Sequence, residues 1–303
     1  MKKFTVAITG ATGHIGHDLT EELLKKGHKV RALGRDEHKL QQFKTKGAEI
    51  FSGEPTDSAF LFKAFKGCDA VFSLIPPGYD ASDMEVLRDE TGEAICQAIA
   101  KAKISHVINL SSVGADLPSG TGPIKVLHRM EEKLNSIENL NLLHFRPNFF
   151  MENLLGFLPS IKKSGITASS LKADLPIPMI ATRDIALKVA EFFDTLKFTG
   201  SSFFDFAGPR DITMEEATKA IGKAIGKSDL KYVQLPYQRA EEEMIASGMH
   251  HQIAKLMVEM QKSFNERKIR PTQKLTADHK GKTTIEEFSK IFAQIYNSAK
   301  KAA

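Results

Sequence analysis

Phe4-Thr5-Val6-Ala7-Ile8-Thr9-Gly10-Ala11-Thr12-Gly13-His14-Ile15-Gly16 decides how the rest of the chain is read. Phe4 to Ile8 is short, apolar, partly β-branched and closed off by glycines, which predicts a buried strand. Gly10, Gly13 and Gly16 follow at a spacing of three. Ile15, Leu19 and Leu23 then recur every fourth residue, one face of a helix. Lys25 and Lys26 suit that helix's negative end, Gly27 stops it, and Lys29 to Leu33 reads as a second strand. A strand thus delivers a glycine turn to the start of a helix, whose free N–H groups and dipole attract phosphate. Gly10 permits the sharp turn, Gly13 lets a diphosphate approach the backbone, and Gly16 lets helix and strand pack closely. A glycine triplet alone is weak evidence; its context carries the reading. Gly10, Thr12, Gly13, His14, Ile15 and Gly16 are the expected diphosphate contacts, with His14 facing either phosphate or water.

The composition fits a soluble globular chain of 303 residues, with 42% hydrophobic and 26% charged residues. No run approaches the ~18 apolar residues of a membrane span, and the apolar segment behind Met1-Lys2-Lys3 is too short for a signal peptide. A membrane partner is not expected. The two cysteines, Cys68 and Cys96, form no disulfide framework, so a reducing, cytoplasmic setting is expected. The net charge of +5 comes from lysines scattered along helices, with no zinc ligands and no basic reading helix. Nucleic acid is therefore not an expected direct partner, whereas small anionic ligands are. His250-His251 has no companion at metal-ligand spacing, and no metal site is expected.

From Thr5 to about Phe145 strand and helix signals alternate. Strands are expected at Ala48 to Phe51, Asp69 to Ile75, His106 to Ser111 and Leu140 to Phe145. Helices are expected after Asp36, over Asp57 to Lys66, from about Ser82 to Ala102 and from about Pro123 to Ser136. This alternation predicts an α/β fold, a Rossmann-like doubly wound parallel sheet. The second half is less regular. Arg183 to Leu196 reads as a helix, and Thr213 with Glu216 and Thr284 with Glu287 form two capping boxes. Tyr237 to Glu266 reads as polar and helical. A nucleotide-binding domain over 1–149 and a smaller, mixed α+β lobe over 150–303, intertwined with the first, are expected. The methionine-bearing C-terminal helices form either core or the surface of a homodimer.

The spelling TGATGHIG resembles the fingerprint of the extended and atypical short-chain dehydrogenase/reductase superfamily, in which it binds a nicotinamide dinucleotide. Read with Ser111-Ser112, with Arg146-Pro147-Asn148-Phe149-Phe150-Met151-Glu152-Asn153 and with Asp184-Ile185-Ala186, the chain looks like the NmrA-like branch. That branch includes NAD(P)H:quinone oxidoreductases and non-catalytic nucleotide-sensing regulators. The second strand ends Ala32-Leu33-Gly34-Arg35, without the acid that usually meets the ribose of NAD. Arg35 can fork onto a 2′-phosphate, and Lys39 lies one helical turn beyond Asp36, so NADP(H) is expected over NAD(H). Ser73, Ile75 and Pro76 at the fourth strand's end, Ser111 at the fifth's, and Pro147 and Asn148 at the sixth's would complete the cofactor contacts.

In catalytic members of the superfamily, a Ser after the fifth strand works with Tyr-x-x-x-Lys on the next helix, the lysine lowering the tyrosine's pKa. Ser111 and Ser112 fit the serine. The tyrosine is missing, since the chain's tyrosines are Tyr79, Tyr232, Tyr237 and Tyr296. Ile124 stands at its place, and His128 close to the lysine's, so His128, Ser111 and Ser112 are the catalytic candidates. Two readings stay open. One is hydride transfer from NADPH to a quinone-like or other conjugated acceptor, with Phe149, Phe150 and Met151 as an apolar wall and Tyr79 and Asn153 as polar contacts. The other is a non-catalytic NADP(H) sensor that signals to a regulatory protein partner.

Overall fold

The computed structural model of the protein describes residues 2–79 and 83–301. Its first half runs β1 (Thr5–Ile8), α1 (His14–Lys25), β2 (Lys29–Gly34), α2 (Glu37–Lys44), β3 (Glu49–Ser52), α3 (Ser58–Phe65), β4 (Ala70–Ser73), α4 (Met84–Ala102), β5 (His106–Leu110), α5 (Lys125–Asn135) and β6 (Asn141–Pro147). It continues through α6 (Leu158–Ser164), β7 (Ile166–Ser169), α7 (Thr182–Thr195), β8 (Ser201–Phe206), α8 (Met214–Ala224), β9 (Lys231–Gln234), α9 (Tyr237–Ala246), α10 (His251–Asn265) and α11 (Ile285–Lys301). The expected start of α4 at Ser82 lies outside the described residues; the helix is seen from Met84, capped by Asp83.

The large sheet has the strand order β3-β2-β1-β4-β5-β6-β8. The ladders joining β1 to β2, β2 to β3, β1 to β4, β4 to β5 and β5 to β6 are all parallel. This order reverses direction beside β1, which makes β1 and its turn the switch point of a Rossmann-like fold. On one face α3, α4 and α5 bury Leu61, Phe65, Ile95, Ile99, Met130 and Leu134 against Val71 and Val107. Each such side chain contributes roughly 1.5–3 kcal/mol by leaving water. Elsewhere α1 meets α2 through His17 and Phe43, and Lys26 and His28 both bond Asp194 of α7. Both cysteines are free thiols, and burial pushes Cys68 up to about 11 and Cys96 up to about 12, so they serve packing.

The chain divides into two compact units: residues 1–118, 123–146 and 185–204 form the first, and 119–122, 147–184 and 205–303 the second. The second unit holds the small parallel sheet of β7 and β9. Both predicted capping boxes are formed, at Thr213 with Glu216 and Thr284 with Glu287. α11 buries Ile285, Phe288, Phe292 and Tyr296. The stretch expected as one helical run is two helices, because Gly248 takes a φ of 98° between α9 and α10. One end of α10 carries buried polar groups: Gln261 accepts from Ser170 N–H and hydroxyl, and Asn265 accepts from Lys172 N–H and donates to the Ser170 carbonyl.

Candidate functional site

The site of the first unit starts at the end of β1. Thr9 N–H donates to the Phe72 carbonyl at 3.1 Å, and Leu74 N–H donates to Thr9 Oγ1 at 2.7 Å, so the turn leaves the sheet pinned to β4. Gly10 has a φ of 66°, where a side chain would be strained. A Cβ on Gly16 would stand 2.2 Å from the Gly10 carbonyl oxygen, so only glycine lets α1 press against its own turn. Gly13 is different: a Cβ there would meet only Gly10 O, at 3.4 Å. Gly13 and His14 are exposed, Thr12 is half-buried with its side chain beside Gly34, and Ile15 is buried in the core.

Gly13 caps α1 without a side-chain bond, and no acid lies in the helix's first turn. The first-turn N–H groups and the positive end of the dipole therefore meet no group of the protein's own side chains. A diphosphate fits here by charge, by donors and by room at Gly13. At the end of β2, Arg35 is exposed, its carbonyl accepts from Ser52, and its guanidinium has no partner among the described residues. Lys39 lies 3.9 Å from Asp36, the residue whose carboxylate caps α2.

Around β4 and β5 the expected side chains are occupied. Ser73 is fully buried and donates to Asn109 at 2.9 Å. Asn109 continues to His144 at 3.2 Å, and burial drives the His144 imidazole down to about 4, so it is neutral at pH 7. Ile75 packs in the core and Pro76 is half-buried. Ser111 is buried and donates its hydroxyl to Glu131, which Arg146 grips with Nε at 2.8 Å and with Nη2. Arg146 also lies over the Phe203 ring at 4.4 Å. A buried pair of this kind holds only when its remaining donors and acceptors are answered, and Ser111 answers one of them. The half-buried Ser112 donates to the Val113 carbonyl.

His128 lies 2.8 Å from the Ala115 carbonyl through Nδ1. A carbonyl only accepts, so Nδ1 carries a proton, while Nε2 lies 3.5 Å from the Glu132 carboxylate. A ladder of ion pairs ties α4 to α5: Glu85 to Lys125 at 2.8 Å, Asp89 to Arg129 at 2.7 Å, and Glu93 to Lys133 at 2.8 Å. Beneath it, Arg88 is buried; its Nη1 donates to the Pro123 carbonyl at 2.8 Å, and its Nε has no partner. Burial pulls Arg88 down to about 10, opposed by Tyr79, Asp89 and Glu85, so it stays a cation at neutral pH. Tyr79 is exposed.

In the second unit, Pro147 and Asn148 are buried; Asn148 N–H donates to Phe206 O at 2.8 Å, while its Nδ2 is enclosed without a partner. Thr121 Oγ1 is likewise buried and unanswered. Phe149 meets Phe264 edge-on at 6.0 Å, and Phe150 pairs with Ile180. Met151 is fully buried, and Asn153 is exposed. Among the described residues no group of three His, Cys, Asp or Glu could hold a metal ion, and no helix is long and apolar enough to cross a membrane.

A family model described as the NmrA-like family matches residues 2–289. The chain belongs to the NmrA-like family. This NmrA-like protein is 27% identical over 241 residues to the (4-alkanoyl-5-oxo-2,5-dihydrofuran-3-yl)methyl phosphate reductase of Streptomyces griseus, covering 80% of each chain. Its fold resembles the NADPH-dependent quinone oxidoreductase of Escherichia coli complexed with NADPH, with a TM-score of 0.79 at 21% identity, covering 94% of this chain and 98% of that one. It also resembles NmrA, a negative transcriptional regulator in complex with NADP, with a TM-score of 0.72 at 16% identity over 99% and 98% of the two chains.

Sequence reasoning missed Glu131, Arg146 and Arg88. Each left a signal. Arg146 ends the apolar run Leu142-Leu143-His144-Phe145, Glu131 follows the buried Met130, and Arg88 falls on the buried stripe Met84, Thr91 and Ile95. A charge on an apolar stripe is a charge that needs an answer.

Proposed function

We propose that this NmrA-like protein is an NADPH-dependent reductase that passes hydride to a quinone-like or other conjugated acceptor. The observation that carries the cofactor half is the unanswered start of α1 behind the glycine turn. Gly10, Thr12, Gly13 and His14 would hold the diphosphate, and Arg35, assisted by Lys39, the 2′-phosphate. When bound, NADPH supplies the hydride. Support for the reductase half comes from the reductases among the chain's relatives, which is an argument by likeness.

The chain's own residues fit an acceptor that needs no pre-placed phenol acid. There is no Tyr–Lys pair, and the Ser111 proton is committed to Glu131. After hydride arrives, the reduced oxygen would take its proton from water, or from His128 Nε2 in the imidazolium form, in which both ring nitrogens carry a proton. The same commitment of Ser111 favours a second reading, an NADP(H) sensor that acts on a protein partner, as its likeness to the regulator suggests. The two free, packed thiols suit a cytoplasmic setting.

NADPH oxidation with a panel of quinones and azo dyes tests the proposal. Turnover with one class, with Arg35→Ala raising KM for NADPH about tenfold and leaving KM for NADH unmoved, is the expected result. Tight NADPH binding without turnover of any acceptor would leave the sensor.

A further inference from the structure

Among the described residues, Arg88 is a buried cation for which neither the fold nor the reaction above has a use. It stands in the second turn of α4, the helix that follows β4, and so near the sheet edge where ligands of this fold class bind. Only 6% of the residue is exposed. Its guanidinium carries five N–H donors, yet one bond to protein is made, to the Pro123 carbonyl, and Nε is enclosed with nothing to meet.

The neighbouring acids are engaged elsewhere. Glu85 pairs with Lys125 and Asp89 is gripped by both arms of Arg129. Glu131, the buried carboxylate of α5, belongs to Arg146. Among the described residues Arg88 has no anionic partner. Removing one partner from a buried ion pair is strongly destabilising, and Arg88 stands as such a half-pair. Its Cγ lies 3.9 Å from where Gly78 would carry a Cβ, a contact that any unbranched apolar side chain could make. A guanidinium differs from such a side chain in offering a planar fork to two oxygens of one anion.

From this we infer that Arg88 receives the anionic group of a small organic ligand, a phosphate monoester or a carboxylate, at the start of α4. Tyr79, 53% exposed on the loop before the helix, stands where it can flank the ligand's body. The inference rests on the reductase reading for the ligand's fate, as the acceptor, and not for its capture.

The test is a calorimetric titration of the NADP+-saturated full-length protein with phenyl phosphate, with benzoate, and with neutral benzamide. Wild type is expected to bind at least one anion and not benzamide, and Arg88→Met to weaken the anion at least tenfold. Which anion binds more tightly separates phosphate from carboxylate. Should Arg88→Met fail to fold, Arg88→Gln, which can still donate to Pro123, is judged by the same criterion. Equal affinities in wild type and variant, or no heat from either anion with wild type, would overturn the inference. If NADP+ itself gives no heat, the reductase reading fails, and the same comparison on the ligand-free protein still decides the role of Arg88.

Discussion

The helices that follow the first four strands begin in two different ways. α2, α3 and α4 are capped by Asp36, Asp57 and Asp83, and each carboxylate accepts two backbone N–H groups. α1 begins at Gly13, which has the backbone of a capping residue and no side chain to cap with. Its φ and ψ, −85° and 171°, nearly match the −87° and 162° of Thr213, which does cap α8. A carboxylate cap contributes about 1 kcal/mol. Three helix starts therefore take their anion from the chain, and α1 leaves the place open to an anion from outside. On this account the difference marks where a coenzyme diphosphate binds.

The largest effect is expected where the open end is built. Gly16→Val would drive its Cβ into the Gly10 carbonyl, 2.2 Å away, and the turn would have to move. Urea denaturation should report a loss of about 3 kcal/mol, the upper end of what overpacking costs. NADPH binding should fall with it; a variant as stable as wild type would mean that the turn yields cheaply. A smaller effect is expected at a closed end. Asp57→Ala should lower stability by about 1 kcal/mol and leave NADPH affinity unchanged, because the α3 cap answers only its own helix. A loss of coenzyme affinity there would blur the distinction between the two kinds of helix start.

What was legible in the sequence was local. The glycine turn, the Asp36 cap, the capping boxes and the strand–helix alternation each depend on residues a few positions apart, and each is present. β7 was missed because its partner β9 lies 65 positions on in the first pair, Ile166 with Lys231, and a four-residue strand says little without its partner. The hydroxyl of Ser111 was expected to face a substrate. It faces Glu131, 20 residues away, and that carboxylate is turned by Arg146, 15 residues further on. Such pairings are set by how α5 and β6 meet, which no short pattern encodes. Arg88 was missed as well, although it is a cation at a core position of α4, and among the described residues no acid pairs with it.

The central claim is tested most directly by giving α1 the cap that its neighbours have. Gly13 has an extended backbone and room for a side chain, so Gly13→Asp should fold unstrained and be unchanged to about 1 kcal/mol more stable. Calorimetry with NADPH should then show affinity reduced at least a hundredfold, the new carboxylate taking the N–H groups and repelling the diphosphate. Wild-type affinity for NADPH in a stably folded Gly13→Asp protein would contradict the account.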